Sequence, residues 1–135
     1  MKVAIIGSRG LVTDVSEYIP KETTEIISGG AVGIDKCAEE YAKKNNIKMT
    51  VIKPNYKEFG RRAPLIRNLE IIDKADLVIA FWDTKSNGTR FVIEKCRQRE
   101  KNIRILTSEK KDIIKLKNCT LVSKEKLKEK IKADL

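Results

Sequence analysis

The chain has 135 residues, 41% hydrophobic and 36% charged, with a net charge of +10 and no histidine. That size and mixture fit one soluble globular domain, residues 1–135, large enough to bury a core. No apolar run approaches the ~20 residues of a membrane span, and without histidine there is neither a Ser-His or Cys-His catalytic pair nor a His-containing zinc site. Acid–base chemistry therefore falls to Asp, Glu, Lys, Tyr or water, and neither a metal nor a cofactor is implied.

Residues 2–7 form a short apolar run, too short for a signal peptide, and read as a buried strand. The run ends in Gly7-Ser8-Arg9-Gly10, a turn carrying a hydroxyl and a guanidinium. Asp14 and Glu17 have the N-cap and N3 spacing of a short helix, closed by Pro20. A second strand around Thr23, Thr24, Ile26 and Ile27 leads into Ser28-Gly29-Gly30-Ala31-Val32-Gly33-Ile34-Asp35. After it, Ile34, Cys37, Ala38, Tyr41 and Ala42 recur at helical spacing and predict one buried face, stopped by Asn45-Asn46.

Residues 48–53 alternate as a third strand, broken by Pro54-Asn55, and residues 56–63 read as a loop with Gly60 and Arg61-Arg62. Pro64 suits the first turn of the next helix, whose core face is expected to be Leu65, Leu69 and Ile72 with Ile66 beside them. Arg67 and Asn68 fall on a more polar flank. Residues 76–82 are the most apolar run, without alternation, as in a strand covered on both faces. The loop of residues 83–89 precedes a helix to about Glu100, and residues 103–107 make a fifth strand. A charged connection over 108–117, a short last strand at Thr120-Leu121-Val122 and a helix lined by Leu127, Ile131 and Leu135 complete the chain. The alternation of strand and helix predicts an α/β, doubly wound, mostly parallel sheet of five or six strands flanked by helices.

Cys37, Cys96 and Cys119 are odd in number and far apart, as expected of reduced cysteines in a cytoplasmic protein, with the first two on helix core faces. From residue 101 onward there are 11 basic and 5 acidic residues, so most of the positive excess lies in that segment. Such an excess serves either nucleic-acid binding or a solvated Lys-rich face.

In an open parallel sheet, ligands bind outside the carboxyl ends of the strands, near the point where strand order reverses. Three loops lie on that edge: Gly7-Ser8-Arg9, the glycine turn Ser28-Gly29-Gly30-Ala31 with Gly33, and the loop carrying Asp83, Ser86, Gly88 and Thr89. Glycines at a strand-to-helix turn leave N–H groups uncovered where the helix dipole is positive, which favours an anion. The spacing Gly-Gly-x-x-Gly is not the dinucleotide fingerprint. Arg9 or Arg67 can add a bidentate phosphate clamp; the alternative for Arg67 is a surface arginine packing its stem along the helix. Asn68 is a poor mid-helix residue without a local partner. Trp82 either fills the core or stacks on a base. Asp35 either balances the helix dipole, binds a sugar hydroxyl or orients a loop amide.

With these residues in place, the chain resembles the SLOG superfamily, a Rossmann-like group that includes DprA, the LOG phosphoribohydrolases and the small YspA-like domains. The resemblance runs from Val3 to about Cys96 and rests on four motifs in order. Ile6-Gly7-Ser8-Arg9 looks like the first-strand motif, and residues 28–35 with Ala38 are similar to the DprA glycine motif. Arg67-Asn68 with Ile71-Ile72 looks like the Arg-Asn helix, and Ser86-Asn87-Gly88-Thr89 like the second phosphate loop. The single-domain length looks most like the YspA-like branch. The resemblance implies a binding site for a nucleotide-type small molecule: a nucleoside monophosphate, ADP-ribose or an NAD-like ligand. It also implies a homodimer or larger oligomer.

Two further readings stand beside that one. The first is LOG-like N-glycosidic hydrolysis or transfer on a nucleoside 5′-monophosphate, for which Arg67 falls at the family's catalytic arginine. The family's glutamate, however, is replaced by Phe91 and Val92. The second is DprA-like binding of single-stranded DNA, supported by the basic excess and the glycine helix.

Overall fold

The structure is a computed structural model that describes residues 1–107, apart from Arg9 and Val12, together with the strand at 113–116. It holds a six-stranded sheet: β1 (Lys2–Gly7), β2 (Glu25–Ser28), β3 (Lys48–Val51), β4 (Leu77–Trp82), β5 (Ile103–Thr107) and β6 (Ile113–Leu116). Its spatial order is β3-β2-β1-β4-β5-β6. The first five strands are parallel and β6 runs antiparallel to β5. Among the described residues four α-helices accompany them: α1 (Ile34–Lys44), α2 (Tyr56–Phe59), α3 (Ala63–Lys74) and α4 (Asn87–Gln98).

The sheet is covered on both faces, and strand alternation sorts its side chains between two cores. Val3 and Ile5 of β1 join Ile79 and Phe81 of β4 beneath α1, where Ile34, Ala38 and Ala42 are buried. Ala4 and Ile6 join Val78, Ala80 and Trp82 beneath α3 and α4, with Ile71, Ile72, Val92, Ile93 and Cys96. All six residues of β4 are buried, as its continuous apolar run requires. Truncating Ile79, which is fully buried, to alanine would cost about 2–5 kcal/mol.

Several expectations change. The Asp14–Glu17 helix is one 3-10 turn, Ser16–Tyr18. Asp14 Oδ1 accepts from the N–H of Ser16 at 2.9 Å instead of capping a longer helix. Residues 56–63 are not a plain loop, because Asn55 Oδ1 accepts from the N–H of Glu58 at 3.1 Å and starts α2. A 3-10 turn, Gly60–Arg62, then leads into α3, where Pro64 sits in the first turn as expected.

On α3 the helix is rolled from the expected face. Ala63, Asn68, Ile71 and Ile72 are buried, while Leu65 is 39% exposed. At the far edge, β6 falls inside the stretch read as a charged connection. The strand at Thr120-Leu121-Val122, the terminal helix and Cys119 lie outside the described residues. No helix among them is long and apolar enough to cross a membrane.

Candidate functional site

Strand order reverses between β1 and β4, which pair directly in parallel, with Gly7 opposite Phe81. Immediately outside their carboxyl ends lies a cleft of about 390 Å3. Gly7 and Gly10 close it from the β1 side, and Gly29, Ala31 and Asp35 from the β2–α1 side. Asp83, Ser86, Gly88 and Thr89 contribute the β4–α4 wall. Arg67 and Asn68 enter from α3. Segments far apart in sequence thus meet at one place, the crevice that doubly wound sheets use for ligands.

Two glycines are fixed by close approach. A Cβ on Gly7 would lie 2.4 Å from Ile34 Cβ, so this glycine lets the first turn of α1 settle on the end of β1. A Cβ on Gly29 would lie 2.6 Å from Arg67 Nη1. Gly29 therefore makes room for the guanidinium. The helix N-cap, Gly33, has φ 79° and no side chain with which to cap α1.

The glycine loop differs from expectation in one chemical respect: its own amides are already engaged. Asp35 Oδ2 accepts from the N–H groups of both Gly29 (3.2 Å) and Ala31 (3.1 Å), and Ser28 Oγ accepts from Gly30 at 3.3 Å. Asp35 thus folds back to orient loop amides. Burial pushes its carboxyl above the usual range, opposed by those two N–H bonds and by the nearby Arg67 guanidinium.

Arg67 and Asn68 act as a pair. Arg67 Nη1 donates to the carbonyl of Gly29 at 2.9 Å and, more weakly, to that of Ile52 at 3.4 Å. Its Nε donates to Asn68 Oδ1 at 2.8 Å. The guanidinium lines the cleft and also latches the loops after β2 and β3 to α3, so it is not the solvated surface arginine of the bland alternative. Asn68 has its local partner in Arg67.

The opposite wall is built around Asp83. Its Oδ1 accepts from the N–H groups of Lys85 (2.8 Å) and Ser86 (2.7 Å), while its own N–H donates to Ser8 Oγ at 3.1 Å. Burial works to raise this carboxyl, but the bonds from Ser86, Lys85 and Ser8 outweigh it and hold the group below the usual range. Ser86 caps α4, accepting from the N–H of Thr89 at a long 3.5 Å.

Trp82 is a correction. Its ring is fully buried and its Nε1 donates to the carbonyl of Ser86 at 3.1 Å. Strand alternation turns it under α3 and α4, so it supports the loop and offers no face to a base. Ser8, Ser28, Gly30 and Gly33 do not line the cleft, and Arg9 lies outside the described residues. Sequence reasoning missed Ile6, Gly10, Pro64, Leu65 and Ile71 on the cleft surface. The helical stripe of Pro64, Asn68 and Ile71 was the available signal. Of the two positions that the LOG resemblance matches to the glutamate, Phe91 is half-buried and Val92 is buried in the core.

A crystal structure of DNA processing protein A (DprA) from Streptococcus pneumoniae superposes on this chain with a TM-score of 0.64. The chain shares its fold with DprA. Identity is 20%, and the match covers 82% of this chain and 52% of the DprA chain, so the protein spans about half that structure's length. No protein-family model and no curated protein matches the chain. The likeness to DprA is one of fold: the Rossmann-like α/β sheet that the sequence motifs imply.

Proposed function

We propose that the cleft binds a nucleotide or nucleotide-derived ligand, with its phosphate at the start of α4. The observation that carries this reading is the convergence of three strand-end loops and α3 on one cleft at the β1/β4 switch point. At the start of α4, Gly88 presents no side chain, and a Cβ there would meet nothing within 4 Å. Amides in a first helical turn have no intrahelical acceptor and favour an anion. The N–H groups of Gly29, Gly30 and Ala31 are committed to Asp35 and Ser28. At α4 those of Lys85, Ser86 and Thr89 are taken within their own loop, which leaves the amides of Asn87 and Gly88 as the phosphate seat. The order of motifs supports placing the chain in the SLOG superfamily, and we extend the proposal to its YspA-like branch and to a cytoplasmic homo-oligomer.

A thermal-shift panel tests the reading: AMP, GMP, CMP, NAD, ADP-ribose, cyclic nucleotides and short single-stranded DNA, each at low and high salt. A ligand at a hundred times its dissociation constant stabilises by ~2.7 kcal/mol, and the expected result is a salt-tolerant shift with a nucleotide. No shift with any nucleotide contradicts the reading. Base release from the bound nucleotide, lost in Asp83→Ala, would add the hydrolase activity.

A second reading, single-stranded DNA binding, is favoured by one surface. Tyr56 (57% exposed) and Phe59 are exposed on α2 beside the exposed cations Lys57, Arg61 and Arg62. Aromatic faces among cations are what strand binding uses. Such binding falls steeply with salt, so a shift with DNA alone, erased at high salt, would select it.

A further inference from the structure

Asp35 divides its two oxygens between different tasks. Oδ2 accepts both loop N–H groups, whereas Oδ1 takes no hydrogen bond among the described residues. The residue is only 6% exposed, yet it lines the cleft. Asn68 repeats the asymmetry with opposite polarity. It is 8% exposed and lines the same cleft. Its Oδ1 is held by Arg67 Nε, while its Nδ2 donates to no described residue.

One chain of hydrogen bonds connects the two. Asp35 Oδ2 takes the Gly29 N–H, the Gly29 carbonyl takes Arg67 Nη1, and Arg67 Nε reaches Asn68 Oδ1. The network is rigid at its centre and open at its ends. It presents an acceptor at Asp35 and a donor at Asn68 to whatever occupies the cleft.

A carboxylate oxygen largely removed from water needs a donor. A ligand phosphate placed against it would be repelled, so the anionic part of a ligand belongs at α4 and an uncharged donor belongs here. A hydroxyl meets that need with a charge-assisted O–H···O⁻ bond. A second hydroxyl beside it can accept from the carboxamide of Asn68. Resting on the nucleotide reading above, we propose that Asp35 Oδ1 and Asn68 Nδ2 bind the ribose hydroxyls, so that the cleft selects ribonucleotides over deoxyribonucleotides. Losing one hydrogen bond to a charged group lowers affinity by about 10- to 100-fold, which is the discrimination expected.

The test is calorimetric titration of wild-type protein and Asp35→Asn with the four ribonucleoside 5′-monophosphates and their 2′-deoxy and 3′-deoxy counterparts. In Asp35→Asn the amide oxygen can take the Oδ2 place and keep the loop, while an NH2 replaces the accepting Oδ1. Wild type should favour the ribo form over at least one deoxy form by about 10- to 100-fold. Asp35→Asn should lose the preference at the hydroxyl that Asp35 holds and keep only what Asn68 adds at the other. Equal wild-type affinity for ribo and deoxy forms overturns the inference and leaves the nucleotide site standing. A preference that survives undiminished at both hydroxyls in Asp35→Asn also overturns it. No binding of any monophosphate overturns the inference together with the cleft reading beneath it. The wild-type comparison decides even where the variant fails to fold.

Discussion

The two loops that flank the cleft solve the same problem with the same device. In each, an aspartate carboxylate oxygen gathers two backbone N–H groups: Asp35 from Gly29 and Ala31, Asp83 from Lys85 and Ser86. Their titration nevertheless shifts in opposite directions. The bonds to Asp83 are short, at 2.7 and 2.8 Å, and its site is half-open, so hydrogen bonding wins and the carboxyl is held low. Those to Asp35 are 3.1 and 3.2 Å and the group is deeply buried, so desolvation wins and the carboxyl is pushed up. An identical bonding pattern does not fix the sign of a pKa shift; the balance of burial against bond quality does.

Gly7→Ala should break the comparison most severely. Its Cβ would collide with Ile34, whose Cβ and Cγ1 lie 2.4 and 2.5 Å away, so α1 must move and carry Asp35 with it. Overpacking of this kind costs about 1–3 kcal/mol. Urea unfolding should show that loss, and nucleotide affinity should fall, while the Asp83 loop is untouched. Replacing each carboxylate by alanine separates the two loops. Asp83→Ala removes the acceptor that shapes the start of α4 and should cost about 1–2 kcal/mol. In Asp35→Ala, two N–H groups lose their acceptor but a buried charge also disappears, so its net cost should be smaller than its two bonds suggest.

A pH series sharpens the contrast through sign. Asp35, with its folded pKa raised, binds its proton more tightly when folded, so its contribution to stability declines as pH rises from about 3.9 through the folded value. Asp83 has a depressed folded pKa, so its contribution is present above about 3.9 and is lost as pH falls through the folded value. Stability measured against pH should therefore improve relative to wild type with rising pH for Asp35→Asn. It should worsen with rising pH for Asp83→Asn. Parallel slopes would contradict the burial account. Ser86→Ala is the smallest effect: with a cap bond of 3.5 Å, the loss should be about 0.5–1 kcal/mol by the same unfolding measurement.

Much of this site was legible because strand ends and glycine-rich turns fall at readable positions. Gly7, the glycine loop and the residues from Asp83 to Thr89 could only meet on one sheet edge once the β-α alternation was seen. What was not legible depended on contacts across the fold. The roll of α3 hides Asn68 and exposes Leu65; on the buried side Arg67 bonds the carbonyl of Gly29 and holds Asn68 by its side-chain oxygen. Apolar periodicity carries no record of that bond. The occupancy of the glycine-loop amides turned on Asp35 bending back by six residues to reach Gly29. One misreading was avoidable, since the Asn55-to-Glu58 spacing is a helix start; for Trp82, alternation along β4 selects the core alternative, placing it with Val78 and Ala80 in a covered face.

The most direct test of the central claim is amide chemical-shift mapping during titration with the nucleotide that stabilises the protein most. The account predicts saturable shifts concentrated at residues 29–35 and 87–89, on the two walls of the cleft, and largely independent of salt. Shifts confined to the exposed aromatic and basic surface at residues 56–62, with the cleft amides unmoved, would contradict it.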